Sequence, residues 1–229
     1  KALREGLAGN SVKRVSGILN GTCNYILTRM EKTGEPFDEV LADAQKLGYA
    51  EAEPSLDVDG IDAAHKLTLL AAIAFAQTPQ FDKVAISGIR DVSAVDFAYA
   101  AQLGFRIKLV GTAEPGRMPR MQTCLLPTSM QLAKVDGVLN AVAYDADPVG
   151  SIVLNGPGAG AGATGSAVLS DIIDVACDRI PDAFGRPVAM LADGSKVENG
   201  GGAGTPFFVG LLGVDKPGVL AGVTPVLQT

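Results

Sequence analysis

The stretch that organises this chain is GYAEAEPSLDVDGIDAAHKLTLLAAIAFA, residues 48–76. Residues 61–76 follow Gly60 without a helix breaker, which predicts an α-helix. Residues 67–81 contain no charged side chain, so we expect this helix to run into the protein interior. The residues before the helix form an acidic loop with four carboxylates, namely Glu51, Glu53, Asp57 and Asp59.

Asp62 and Lys66 stand four residues apart, so they project from one face of the predicted helix, where surface gives way to core. Burial and a neighbouring carboxylate shift the pKa of a lysine in opposite directions. Such a balance suits a group that gives and takes a proton. The commoner alternative is an ordinary helix ion pair worth about 0.3–0.5 kcal/mol. The acidic loop favours a functional role, because carboxylates that converge near one lysine form a pocket for a substrate ammonium group.

The composition is that of a globular protein with a sizeable core. The chain has 229 residues, of which 47% are hydrophobic and 19% charged, with a net charge of −6. Nucleic acid is not expected as a partner, because phosphate contacts need clustered Lys and Arg, and here they are scattered. No apolar run reaches the roughly 18–20 residues of a membrane span, so no membrane partner is expected either.

The cysteine and histidine content predicts neither a disulfide framework nor a metal site. Cys23, Cys124 and Cys177 are odd in number and far apart, and we expect buried free thiols in a reducing cytoplasm. His65 is the single histidine, which excludes a multi-histidine metal site and any Ser-His-Asp triad not built on it. We expect His65 to serve packing or to lie at the surface.

The remaining pattern predicts an α/β protein of α+β-like layout, with a mixed β-sheet covered by helices on one face. No G-x-G-x-x-G fingerprint follows the first strand, so a Rossmann nucleotide-binding unit is not expected. Helices are predicted at 1–8, from Cys23, at 37–48 and at 93–104, and strands at 12–18, 84–89, 105–113, 121–127, 140–146 and from 151.

A tight Asn20-Gly21-Thr22 corner joins the first strand to the next helix. Gly21 lets the backbone approach a ligand closely, and Thr22 is a predicted N-cap whose hydroxyl can also reach substrate. The alternative is a common Asn-Gly turn without a function.

A glycine-rich loop, GPGAGAGAT at 156–164, leads into a helix. Its backbone N–H groups and the helix N-terminus favour an anion such as a phosphate or pyrophosphate. It lacks the Lys-Ser/Thr ending of an ATPase loop. The alternative is a flexible connection that contacts no ligand. Residues 181–206 are predicted to be a glycine-rich linker, and the residues from 207 are predicted to form a strand, a turn and the start of a helix.

Three segments together resemble homoserine dehydrogenases. They are GILNGTCNYILTRM at 17–30, GYAEAEPSLDVDGIDAAHKL at 48–67 and GPGAGAGATGSAVLSD at 156–171. The resemblance covers residues 1–180, and FFVGLLGVDKPGVLAGV, from residue 207, further resembles the start of an ACT regulatory domain. It implies NAD(P)H-dependent reduction of aspartate 4-semialdehyde to homoserine, in the pathway to threonine, methionine and isoleucine, by a cytoplasmic homodimer.

The resemblance also implies roles for individual residues. Lys66 matches the lysine that exchanges a proton with the substrate oxygen, and Asp62 is its catalytic partner. The substrate-binding positions are Glu51, Asp57, Asp62, Gly21 and Thr22. The cofactor-binding positions are Gly158, Gly160 and Thr164.

The resemblance divides the chain into four parts: a substrate-binding catalytic region (1–155), a glycine loop and helix that return to a nucleotide-binding domain (156–180), a linker (181–206) and a truncated ACT-like start (207–229). The nucleotide-binding domain itself is missing, and the chain starts as if inside a helix. We therefore expect a fragment of a longer protein that is inactive alone. Two alternatives stay open: another amino-acid dehydrogenase of the same layout, and a non-catalytic ligand-binding or dimerisation module.

Overall fold

The computed structural model describes residues 1–196. Six α-helices and six strands are found there, together with short 3-10 segments and a π-helical turn at Ala2–Gly6 where a helix end was expected. The helices are α1 Gly21–Thr33, α2 Phe37–Lys46, α3 Ser55–Val58, α4 Ile61–Phe75, α5 Ala94–Gln102 and α6 Ala161–Ala176. The strands are β1 Ser11–Ile18, β2 Ala85–Ile86, β3 Phe105–Ala113, β4 Arg120–Pro127, β5 Leu139–Asp147 and β6 Gly150–Pro157.

The strands form one mixed sheet in the order β2-β4-β3-β1-β5-β6. Four pairings are antiparallel, and the short β2 alone pairs in parallel, with β4. β1 lies in the middle and ends at Ile18, so the corner that follows it leaves the sheet between β3 and β5. The predicted mixed sheet is confirmed.

The helices α1 and α4 cover one face of the sheet. Alternate residues of β3, Ile107, Leu109 and Ala113, point toward them, as the period of two requires. The predicted burial of α4 is confirmed at Leu67 and Ala71, both at most 2% exposed. The opposite face is covered in part by a 3-10 segment at Leu132–Lys134, which packs on Val110 and Leu126.

The segment predicted as a strand at 84–89 forms only two ladder residues, because it turns to contact the acidic loop. Ile89 N donates to Val58 O of α3 at 2.9 Å. Gly88 lies so close that a Cβ there would be 2.3 Å from Val58 O. The sheet edge therefore holds α3, and with it the acidic loop, in a fixed position.

Two features near the C-terminal end of the described chain stand out. Residues 192–194 contact the segment that follows α4, where Thr78 N donates to Ala192 O and Gly194 N donates to Thr78 Oγ1. α6 presents a large apolar face to solvent, with Val168, Leu169, Ile172, Ile173 and Val175 each 47–64% exposed. The predicted linker is described only up to residue 196, and the predicted ACT-like start at 207–229 lies outside the described residues. No helix in the described part of the chain has the length and apolar character to cross a membrane.

Candidate active site

The acidic loop folds into one turn of helix, α3, directly before α4. Gly60 joins the two helices with φ +82°, a left-handed conformation that glycine adopts without strain. A Cβ at Gly60 would lie 3.4 Å from Ile86 and Met121, so the joint also packs against the sheet edge. The position of the first turn of α4 is therefore set by the sheet and not by the loop alone.

Lys66 and Asp62 form the predicted pair on α4. Lys66 Nζ donates to Asp62 Oδ2 at 2.7 Å and to the Leu19 carbonyl oxygen at 3.1 Å. Leu19 lies in the corner after β1, so these bonds tie α4 to that corner. The Lys66 side chain is 47% exposed, which leaves its ammonium accessible to a small molecule.

Asn20 brings a second carboxylate to this pair. Its Nδ2 donates to Asp57 Oδ1 at 2.7 Å and to Asp62 Oδ2 at 2.9 Å, while its Oδ1 accepts from Cys23 N at 2.8 Å. Asn20 is thus the N-cap of α1, and the prediction that Thr22 caps this helix is wrong. Sequence reasoning did not assign Asn20 a role, although asparagine before a helix is a strong capping signal.

Gly21 and Thr22 are both engaged by the protein itself. Thr22 Oγ1 donates to Tyr49 O at 2.6 Å and so ties α1 to the start of the acidic loop. A Cβ at Gly21 would lie 2.7 Å from Val138 O, so glycine is required here for packing against the residues before β5. Their predicted contact with substrate stays a prediction.

The other acids of the loop occupy different positions. Asp59 pairs with Arg90, and Glu53 accepts from Ser55. The hydrogen bond from the Ser55 hydroxyl lowers the pKa of Glu53. Glu51 is exposed, and its backbone oxygen accepts from Gln45 Nε2 at 2.9 Å, so the structure does not place its carboxylate in the network around Lys66.

The glycine loop follows β6 and leads into α6. Gly160, with φ +99°, is the N-cap of α6, and Thr164 N donates to Gly160 O at 3.0 Å in the first turn. A Cβ at Gly160 would meet no atom within 4 Å, whereas one at Gly158 would lie 2.1 Å from Asn140 Nδ2. The loop therefore has an open side at Gly160 and a packed side at Gly158.

His65 stacks on Phe81 with ring centroids 3.9 Å apart, so the structure places it in a packing role. The cysteines are all free, but only Cys23 is fully buried. Burial raises the pKa of the Cys23 thiol, which makes it a weak nucleophile. The expectation of buried thiols is wrong for Cys177, which is exposed near the end of α6. Residues 1–196 contain no group of three or more metal-binding side chains.

The site thus combines one accessible ammonium with two carboxylates, Asp57 and Asp62, that a single amide holds together. Carboxylates in this arrangement can pair with the ammonium group of a ligand. A lysine beside them can give a proton to a ligand oxygen that gains charge.

Comparison with known proteins gives one consistent match. A family model described as homoserine dehydrogenase matches residues 1–173. The chain is 43% identical over 240 residues to the homoserine dehydrogenase of Pseudomonas aeruginosa, across 100% of this chain and 54% of that protein. It is 49% identical over 182 residues to the homoserine dehydrogenase of Synechocystis, across 76% of this chain and 42% of that protein.

Solved structures agree. The crystal structure of a homoserine dehydrogenase from Thiobacillus denitrificans is similar with a TM-score of 0.84 at 41% identity, covering 100% of this chain and 55% of that one. A hyperthermophilic archaeal homoserine dehydrogenase in complex with NADPH is similar with a TM-score of 0.68 at 31% identity, covering 80% of this chain and 52% of that one. The chain spans about half the length of the curated relatives it matches.

Proposed function

This chain belongs to the homoserine dehydrogenase family, and we propose that it forms the substrate-binding and catalytic region of such an enzyme within a longer protein. The reaction is the NAD(P)-dependent interconversion of aspartate 4-semialdehyde and homoserine, in the route to threonine, methionine and isoleucine. We assign residues 1–155 to substrate binding and catalysis, and 156–180 to a segment that returns to a nucleotide-binding domain. Residues 181–206 act as a linker, and 207–229 begin an ACT-like domain.

The observation that carries this proposal is the position of Lys66. Its ammonium lies 2.7 Å from Asp62, is accessible, and faces the side on which Asn20 holds Asp57. Reduction of an aldehyde leaves negative charge on the carbonyl oxygen, and Lys66 supplies the proton that this oxygen needs. In the reverse direction Lys66 takes the proton from the hydroxyl of homoserine.

The carboxylates bind and orient the substrate. Asp57 and Asp62, with Glu51 at the rim, attract the α-ammonium group of the amino acid. Asp62 also keeps the Lys66 side chain in one direction, so that its Nζ points toward the reacting oxygen. Gly21 and Thr22 form the wall at the N-terminus of α1.

The glycine loop suits a dinucleotide. Gly160 leaves open space beside the first turn of α6, and Gly158 and Thr164 flank it, so backbone N–H groups can meet a pyrophosphate. When bound, the nicotinamide supplies the hydride. The exposed apolar face of α6 supports burial of this helix against the remaining part of a longer protein. We further propose a cytoplasmic homodimer, on the family resemblance alone.

The test is Lys66→Met in the full-length protein, assayed for homoserine oxidation with NAD+ and NADP+. We expect kcat to fall by about 100-fold or more, the scale of one acid–base group, with circular dichroism unchanged. Lys83→Met, an exposed lysine on the segment after α4, serves as the matched control and keeps wild-type turnover. An unchanged kcat in Lys66→Met would leave Lys66 as an ion-pair partner of Asp62 only.

Wild-type turnover and the Glu51→Ala variant together separate the candidate functions. In a homoserine dehydrogenase we expect the KM for homoserine to rise by about 10-fold, the loss of one charge-assisted contact. A dehydrogenase for another amino acid would show no saturable turnover of homoserine in the wild type. A non-catalytic binding module would show none with any amino acid.

A further inference from the structure

Asn140 lies between two parts of the proposed site, and sequence reasoning gave it no role. It is the second residue of β5 and pairs with Gly156 of β6. The corner that carries Leu19 and Gly21 lies on its other side. This single side chain therefore touches both the glycine loop and the corner at the start of α1.

Its amide group shares an acceptor with the catalytic lysine. Asn140 Nδ2 donates to Leu19 O at 3.4 Å, and Lys66 Nζ donates to the same oxygen at 3.1 Å. A peptide carbonyl has two lone pairs, so both donors are accommodated. The position of the Leu19 carbonyl thus depends on Asn140 and in turn fixes Lys66.

The other half of the amide is buried without a partner among the described residues. Asn140 Oδ1 has no hydrogen-bond donor within the described chain and is shielded from solvent. An unpaired buried acceptor is unfavourable, and a leucine, which has the same branched shape, would fill the space without it. The donor on Nδ2 is the feature that a leucine lacks.

Close packing locks this amide in place. A Cβ at Gly158 would lie 2.1 Å from Asn140 Nδ2, and one at Gly21 would lie 3.3 Å from Asn140 Oδ1. Glycine at both positions lets the backbone of the loop and of the corner close on the amide from two sides. The distance between the glycine loop and Lys66 is therefore set through Asn140.

We propose that Asn140 is a positioning residue, which holds the glycine loop in register with the Leu19 carbonyl and so with the proton donor Lys66. This inference rests on the proposed function. Asn140 does not exchange a proton itself. It fixes where the group bound by the loop lies relative to the ammonium of Lys66, and the rate of the chemical step depends on that separation.

The test uses the full-length protein with Asn140→Leu, Asn140→Asp and Asn140→Ala. Asp keeps the volume of the side chain and Leu its branched shape, and both lose the donor, so we expect kcat to fall by about 10-fold in both, the effect of one hydrogen bond, with the KM for homoserine within about threefold. Asn155→Leu is the matched control: Asn155 is exposed on β6, pairs with Ala141 and keeps wild-type kcat. Wild-type kcat in Leu and Asp alongside a loss in Ala would show that Asn140 only fills space, and would overturn the proposal.

A second set of variants tests the same role of Asn140 if Asn140→Leu folds poorly. In Gly158→Ala the new Cβ has no room beside Asn140, so we expect a raised KM for the nucleotide. Asn140→Ala/Gly158→Ala makes that room, and we expect the nucleotide KM to return toward wild type while kcat stays low. Recovery of kcat in this double variant would contradict the proposal.

The proposed function and the role of Asn140 are contradicted by different results. If the wild-type protein does not oxidise homoserine, the proposed function fails. If the wild type does so and the Asn140 variants match it in kcat, only the role of Asn140 fails.

Discussion

Two lysines of this chain have the same kinds of partner and opposite surroundings. Lys66 on α4 contacts a backbone carbonyl, Leu19 O, and a carboxylate, Asp62, and is 47% exposed. Lys108 on β3 contacts a backbone carbonyl, Val135 O, at 2.6 Å and a carboxylate, Asp136, at 3.2 Å, and its side chain is 1% exposed. Lys108 has one further partner, the amide oxygen of Asn24, but the main difference between the two lysines is their exposure.

The N-terminal end of α1 contacts the surroundings of both lysines. Asn20, the N-cap of α1, holds the acids around Lys66, and Asn24, one turn later, accepts from Lys108 Nζ at 3.2 Å. Asn24 Nδ2 also donates to Val135 O and Leu139 O at 3.1 Å each. The same helix thus places one amide in an open site and another in the core.

Burial changes the chemistry of the second cluster. It is the main reason why the pKa of Lys108 is lowered, and the nearby Arg106 guanidinium adds to this effect. Arg106 itself pairs with Glu31 and Asp136, which closes the cluster with opposite charges. Without access to solvent, Lys108 meets no substrate, and its bonds hold the residues before β5 against α1. We interpret the Lys108 cluster as structural and the Lys66 cluster as functional.

The largest expected contrast comes from the same substitution at both lysines. Lys108→Met leaves Val135 O and Asn24 Oδ1 without this donor in the core, so we expect the free energy of unfolding to fall by about 3 kcal/mol. Lys66→Met, which removes a half-exposed pair, should change it by no more than about 1 kcal/mol, while it abolishes most of the turnover. Urea unfolding followed by circular dichroism gives the first quantity, and homoserine oxidation per folded molecule gives the second.

The contrast between the two lysines fails if the effects of the two substitutions on stability are reversed or equal. A Lys108→Met protein of wild-type stability would show that the buried hydrogen bonds of Lys108 do not stabilise the fold. A Lys66→Met protein as unstable as Lys108→Met would show that the accessible lysine also holds the fold together.

The surroundings of Lys66 can be predicted from local sequence. The charge-free run after Lys66 predicts that α4 enters the core one turn later, and the spacing of Asp62 and Lys66 predicts their contact. Both are local properties of one helix, with a period of 3.6 residues. The strands β3, β4 and β5 are also predicted from local sequence, because each is a short apolar run of strand length.

The remaining features depend on partners that are distant in the chain. Lys108 lies in FRIKLVGTA, where an alternating strand predicts a solvent-facing lysine, and only the fold brings Asn24 and Asp136 to it. Asn140 gains its role from Leu19, 121 residues away. Thr22 and Asn20 are both capping residue types. The fold decides between them, because Asn20 Oδ1 accepts from Cys23 N while the Thr22 hydroxyl donates to Tyr49 O, 27 residues away.

A medium effect is expected from the two amides of α1. Asn20→Ser keeps a capping side chain that is too short to reach Asp57 and Asp62, so we expect kcat/KM for homoserine to fall by about 10-fold, with a stability loss of about 1 kcal/mol at most. Asn24→Ser leaves two buried carbonyls short of a donor and should cost about 2 kcal/mol of stability, with the KM for homoserine unchanged. Steady-state kinetics and urea unfolding on the same preparations test both. An equal loss of kcat/KM in the two variants would show that α1 acts as one unit.

The smallest expected effect is the pH dependence that Asp136 contributes within the Lys108 cluster. Burial acts to raise the pKa of Asp136, but Lys108 and Arg106 outweigh it, so this pKa is lowered in the folded protein. A carboxyl with a lowered folded pKa contributes stability above its ordinary pKa, and this contribution is lost as the pH falls through the folded value. We therefore expect the wild type to lose up to about 1 kcal/mol below about pH 4 through Asp136, since its partial exposure screens the effect. Asp136→Asn removes this part of the pH dependence, and urea unfolding at pH 7, 5, 4 and 3 measures it. If the wild type and Asp136→Asn lost stability in parallel as the pH falls, Asp136 would not carry this part of the pH dependence.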